Sequence, residues 1–127
     1  MQALRVDRRF FAVGFLVWAA IIFWSASQPG SGQPQAFTGL DKIQHFIAYG
    51  MLAFLLAKAM TSHFSWKSML VIVMAVVLLG VCDELYQATI ANRTSSISDV
   101  VADGVGAVAG FLAAWRWQLY KNMKRKQ

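Results

Sequence analysis

The chain is short of charge, of cysteine and of proline. Asp, Glu, Lys and Arg together make up 14% of its 127 residues, where a soluble domain carries about 25%. The one cysteine, Cys82, excludes an internal disulfide and a Cys-pair redox centre. Both prolines fall between Gln28 and Gly39, so nothing breaks the apolar runs elsewhere. No Gly-rich phosphate loop, His-Glu-x-x-His helix or nucleophile elbow occurs. Acidic residues are scarce, 6 against 12 Lys and Arg. What the chain has instead is apolar residues, 57% of the total. A soluble fold of this size has too much surface to hide them, so the bilayer is the expected solvent.

The expected fold is all-α: a polytopic membrane protein with four transmembrane helices in a single bundle. The first run, Phe10–Ser27, is uncharged and rises about 27 Å as a helix. Further helices are expected from about Asp41 to Met60, Trp66 to Thr89 and Ser98 to Tyr120. The Pro- and Gly-bearing stretch from Gln28 to Gly39 reads as a loop. Residues 1–120 form the membrane domain in this reading, and 121–127 a disordered basic tail. Arg5, Arg8 and Arg9 before an apolar run imitate a signal peptide, but the run exceeds the ~7–15 residues of an h-region. An uncleaved first helix is expected.

Ten basic residues (Arg5, Arg8, Arg9, Lys58, Lys67, Arg116, Lys121, Lys124, Arg125 and Lys126) share one face with both termini. Only Lys42 and Arg93 fall on the other. This asymmetry puts both termini in the cytoplasm. Trp66, Trp115 and Trp117 then mark the inner interface and Trp24 the outer one. The basic residues flank apolar runs, which suits membrane lipids as partners and not nucleic acid.

Ionisable residues inside spans are costly and point to function. Here they are Asp41, Lys42, His45, Asp83, Glu84, Asp99 and Asp103. Counting from the basic markers, Asp41 is 17 residues from Lys58, Asp83 is 16 from Lys67, and Asp99 is 17 from Arg116. All three carboxylates therefore lie roughly 24–26 Å from the inner face. His45 and Asp103 lie one turn deeper. Asp41 with His45, Asp99 with Asp103, and Asp83 with Gln87 are each i,i+4 and share a helix face. The three faces are expected to converge on a polar cleft open to the outside.

Blander readings exist for several of these residues. Asp41 and Asp99 open their helices, where a carboxylate caps free amides. Asp83 and Glu84 approach a helix C-terminus, where the dipole disfavours anions, so an ion pair with Arg93 or Lys42 is expected. Arg93 is the favoured partner of Asp83. Gly106 and Gly110 form a small-residue seam for helix packing. Cys82 reads as a core filler, and His63 has no assigned role.

At these residues the chain resembles the VanZ-like family of small bacterial membrane proteins. The matching pieces are Asp41-Lys42-x-x-His45-x-x-x-Tyr49, Asp83-Glu84-x-x-Gln87, and Arg93 followed by Asp99, Gly106 and Gly110. They run in order from about Gly39 to Gly110. The family often has Asn where this chain has Asp103. The resemblance implies a multi-span envelope protein and a link to tolerance of teicoplanin, a glycopeptide antibiotic that targets lipid-linked cell-wall precursors. No catalytic mechanism comes with it.

Three functions compete. The first is a non-enzymatic protein whose outward acidic cleft binds a cell-envelope ligand, such as a lipid-linked cell-wall precursor. The second is an intramembrane hydrolase or transferase acting on lipid headgroups, with a metal held by His45, Asp41, Asp83 and Asp99. Such ligands suit magnesium or manganese, and the imidazole admits zinc. A proton-coupled transporter ranks last, because the first span has no acidic residue.

Overall fold

The computed structural model describes residues 8–30 and 38–127. It contains four helices: α1 (Arg8–Ala26), α2 (Thr38–Met60), α3 (Trp66–Gln87) and α4 (Ile97–Lys124). Each is long and apolar enough to cross a membrane. Arg5 and most of the Pro- and Gly-bearing stretch, residues 31–37, lie outside the described residues. α2 begins at Thr38, three residues before the expected start.

The helices are apolar almost all round, as bilayer helices must be. Leu16, Ile47, Leu78, Val101 and Leu112 are exposed on the outer surface, where a soluble protein would place polar residues. Cys82 is exposed there too, contrary to the core role expected of it. The inward face of α3 at this level is occupied by Gly80, Asp83, Glu84 and Gln87 instead.

α2 and α4 make the closest pair, and small residues allow it. A Cβ built on Gly106 would collide with the carbonyl oxygen of Phe46, and one on Gly110 with that of Gly50. On the other side of the seam, a Cβ on Gly50 would come within 3.0 Å of the Gly106 carbonyl oxygen. Only a hydrogen side chain permits this approach. α3 packs on α4, while α1 lies outermost against α2 and, more lightly, α3. The Trp18 indole N–H donates to the Ala48 carbonyl at 2.8 Å and fastens the middle of α1 to α2.

The apolar core fills one half of the bundle. It contains Tyr49, Leu52, Ala53 and Ala57 of α2, Ile72 and Val76 of α3, and Ala107, Phe111 and Ala114 of α4. Phe64 from the α2–α3 connection and Trp115 close its base. Ser65 starts α3 through a reciprocal capping box with Ser68, satisfying two amides that would otherwise be orphaned.

The basic tail is not the disordered segment expected from sequence: α4 continues to Lys124. Lys121 and Lys124 lie over the rings of Trp117 and Tyr120, one turn earlier, at 5.5 and 4.9 Å. These i,i+4 cation–ring contacts, with the Gln118–Asn122 hydrogen bond, extend the helix beyond the apolar span.

Candidate functional site

The other half of the bundle holds the polar groups. The chain has 6 Asp and Glu residues, and every one except Asp7 is on α2, α3 or α4 at this end. Asp83, Glu84, Asp99 and Asp103 are buried, with 2%, 3%, 3% and 0% exposure. Asp41 is half-buried.

Two basic side chains join the helices. Lys42 of α2 donates to the Asp99 carboxylate of α4, and lies 3.5 Å from Asp41. His45, one turn along the same face, shares a 2.9 Å hydrogen bond with Asp103 through Nδ1. Its Nε2 lies 3.7 Å from Oε1 of Glu84 on α3. A carboxylate can only accept, so with Asp103 ionised the Nδ1 proton is fixed on the imidazole. The Asp41/His45 and Asp99/Asp103 faces thus meet turn for turn.

Asp103 fits because of Gly80. A Cβ at that position would run into the Asp103 carboxylate, so the glycine of α3 makes the space that Oδ2 occupies. Sequence reading passed over Gly80. The available signal was its position, three and four residues before Asp83 and Glu84, which puts it on their face.

Glu84 has a structural task. Its Oε2 accepts from the backbone N–H of Ser96 at 2.8 Å, the residue that begins α4. Ser96 makes no side-chain cap bond of its own, so a carboxylate from α3 serves that N-terminus, with the favourable dipole sign. Asp99, expected as a cap, is instead taken up by Lys42.

The described hydrogen bonds of Arg93 go to backbone carbonyls, while its charge still acts on Asp83. Its Nε donates to the Gln28 carbonyl at 3.1 Å and its Nη2 to the Ser25 carbonyl at 2.8 Å. These are carbonyls at the end of α1 and just after it, and that of Ser25 also accepts from the Gln28 N–H at 3.2 Å. Together with the Gly30 N–H to Ala91 carbonyl bond, Arg93 ties the end of α1 to the α3–α4 connection. Asn92, with φ of 58°, supplies the left-handed residue that turns this connection.

A cavity of about 200 Å³ opens between α1, α2 and the end of α3. One wall is apolar: Trp18, Ile21 and Ile22 of α1. The opposite wall carries Asp41, Gln44, His45, Tyr49, Asp83 and Gln87, and Arg93 lies at the end. Gln87 donates to Oδ2 of Asp83 at 2.9 Å. Oδ1 of Asp83 and the Tyr49 hydroxyl are buried beside each other, the hydroxyl placed to donate to the Asp83 carboxylate. The Tyr49 ring lies parallel to the His45 imidazole, 6.1 Å between centroids.

The cluster is out of charge balance. Five carboxylates face two permanent cations, Lys42 and Arg93, plus His45. Fully ionised, the cluster carries −3, or −2 with an imidazolium. In a low-dielectric setting that excess requires a bound cation or protons. Candidate ligand atoms of Asp41, His45 and Asp99 do lie within 4.8 Å of one another. The Lys42 ammonium already sits against two of these three residues.

The VanZ/LLP1 family model matches residues 10–119 of the chain. Comparison with curated proteins and with solved structures gives no match. The match takes in all but the edges of the four-helix bundle, including every residue of the polar cluster. The chain therefore belongs to the VanZ/LLP1 family, as a multi-pass membrane protein.

Proposed function

We propose that this protein binds the headgroup of a cell-envelope amphiphile, a membrane lipid or lipid-linked precursor, in the cavity between α1 and the acidic cluster. One observation carries this reading: the cavity has an apolar wall on α1 facing an opposite wall of polar and ionisable side chains, Asp41, Gln44, His45 and Asp83 among them. An amphiphile entering from the bilayer would lay its chains along Trp18, Ile21 and Ile22 and its polar group against α2 and α3. In this reading the protein sits in a bacterial inner membrane with both termini and the basic end of α4 in the cytoplasm. The ten-to-two distribution of basic residues supports that orientation, which opens the cavity at the outer leaflet. Tolerance of teicoplanin would follow if the amphiphile is the precursor that the antibiotic targets.

The test is native mass spectrometry of the protein released from its own membrane in mild detergent. A retained lipid that is not turned over supports the reading. A second reading, metal-assisted cleavage of lipid headgroups, draws on the Asp41–His45–Asp99 spacing. Lys42 seated against Asp41 and Asp99 weighs against it. A bound metal together with headgroup hydrolysis would favour that second reading and displace the first.

A further inference from the structure

We infer that the basic end of the bundle holds an anionic phospholipid in a second site, with its phosphate on Lys58, Lys121 and Arg8 and one acyl chain in the groove between α2 and α4. This site lies at the other end of the molecule from the cavity beside α1 and does not rest on the reading of that cavity.

Three cations from three helices gather there. Lys58 is in the last turn of α2, Lys121 is in the last turn of α4, and Arg8 opens α1. The charges of Lys121 and Arg8 both act on the Lys58 ammonium. The described Asp and Glu side chains are all at the opposite end of the bundle. Like charges gathered at the edge of an apolar medium repel, and an anion between them replaces that repulsion with attraction. Lys58 is held ready for such a partner. Its Nζ donates to Oε1 of Gln118 at 2.8 Å and lies over the rings of Phe11 and Phe64 at 5.5 and 5.9 Å. An ammonium has three donors, so two remain after Gln118.

The surroundings suit a lipid better than a free anion. One turn further into the span, each helix supplies a ring: Phe11 of α1, Phe54 of α2 and Trp117 of α4. These rings form a row, with 6.4 and 6.0 Å between successive centroids. Lys58 lies over the first and Lys121 over the last, each at 5.5 Å. Cations above aromatic rings is the layering of a membrane interface. Phe54 and Trp117 also close one end of an apolar groove, which Gly50, Met51, Ala109 and Ala113 line further in. From Gly106 to Trp117 the lining extends about 16 Å along α4. One leaflet's hydrocarbon is about 15 Å deep. A free anion would meet only the cations, whereas a phospholipid covers the cations, the rings and the groove together.

The headgroup must carry net negative charge. A zwitterionic headgroup brings its own ammonium to three cations with no described carboxylate beside them. Phosphatidylglycerol is therefore favoured over phosphatidylethanolamine with the same chains.

The experiment uses the full chain, stripped of lipid in detergent and titrated by native mass spectrometry. The probes are dioleoyl phosphatidylglycerol, phosphatidylethanolamine and phosphatidylcholine. Phosphatidylglycerol is expected to bind roughly tenfold more tightly than the other two. Lys121→Gln should weaken it about fivefold, the effect of one cation at an anionic surface. Lys67→Gln removes the same charge from the start of α3, where the ammonium lies over Trp66, and should leave the affinity unchanged. Ala113→Phe fills the groove from an exposed position and should weaken all three lipids. Equal binding of the three lipids would overturn the inference, and this series needs no variant to fold. Equal losses from Lys121→Gln and Lys67→Gln would overturn it too, by showing attraction to net charge alone. Displacement of the lipid by millimolar inorganic phosphate would replace it with a free-anion site. Full affinity in Ala113→Phe would refute the groove as the path of the acyl chain.

Discussion

Replacing Gly80 with Ala adds one methyl to the face of α3 that meets α4, and that methyl meets the carboxylate of Asp103. In an unobstructed helix the change would stabilise by about 1 kcal/mol, because Ala is the better helix former. Here the Cβ of Asp103 lies 3.3 Å from the new atom and is held by its backbone. The carboxylate is the part that can move, and moving it breaks the 2.9 Å bond to His45. A hydrogen bond to a charged group is worth about 1.5–3 kcal/mol. The net expectation is a loss of about 1–2 kcal/mol. In an Asp103→Ala background the obstructing oxygen is gone, so Gly80→Ala should become neutral or stabilising. The coupling between the two sites is therefore about 1–3 kcal/mol. Reversible unfolding in mixed micelles, followed by tryptophan fluorescence, measures all four corners of the cycle. Additivity to within about 0.5 kcal/mol would refute the claim that Gly80 exists to seat this carboxylate.

Gly106→Leu should sharply reduce folded yield, since its side chain is driven into the Phe46 carbonyl; wild-type yield by size-exclusion chromatography would show that the α2–α4 seam is not tight. Gly14→Ala is the matched control, because its methyl would meet only the flexible end of Leu55 at 3.4 Å, and unfolding should show no loss of stability. Glu84→Ala leaves the first amide of α4 without its acceptor and should cost about 1 kcal/mol, the value of a lost cap, with faster amide exchange confined to the start of α4. A cysteine placed at Ser95 in a Cys82→Ser background should react with an impermeant reagent outside intact cells, whereas one at Ser62 should be protected; the reverse pattern would invert the orientation.

The bundle was legible because the bilayer imposes long uninterrupted apolar runs, and four of them stand out between polar connections. The polar layer was legible for a related reason. Asp41, Asp83 and Asp99 could be placed at one depth by counting from Lys58, Lys67 and Arg116, since rise per residue is fixed. Pairing was not legible. Which cation meets which carboxylate depends on how each helix is rotated about its axis, and helices that are apolar all round give no moment to fix that rotation. Arg93 was therefore assigned to Asp83, whereas it holds the carbonyls of Ser25 and Gln28. Lys42, adjacent to Asp41 in sequence, bridges to Asp99 across the α2–α4 seam. The same blindness to rotation placed Cys82 in the core. Glu84 was read as an anion at an unfavourable helix end, yet its carboxylate reaches the favourable end of the next helix. The continuation of α4 was missed because lysines beyond an apolar run look like a tail until their i,i+4 aromatic partners are considered.

The most direct test of the central claim, a headgroup site between α1 and the acidic cluster, is to map where a lipid sits. Membranes containing the protein would be supplied with a phospholipid bearing a photoreactive group next to its phosphate, irradiated, and the crosslinked peptides sequenced. The account predicts labelling concentrated on the cavity walls, at Trp18, Ile21, Ile22 and Gln44. Labelling spread evenly over lipid-facing positions such as Leu78 and Leu112 would contradict it.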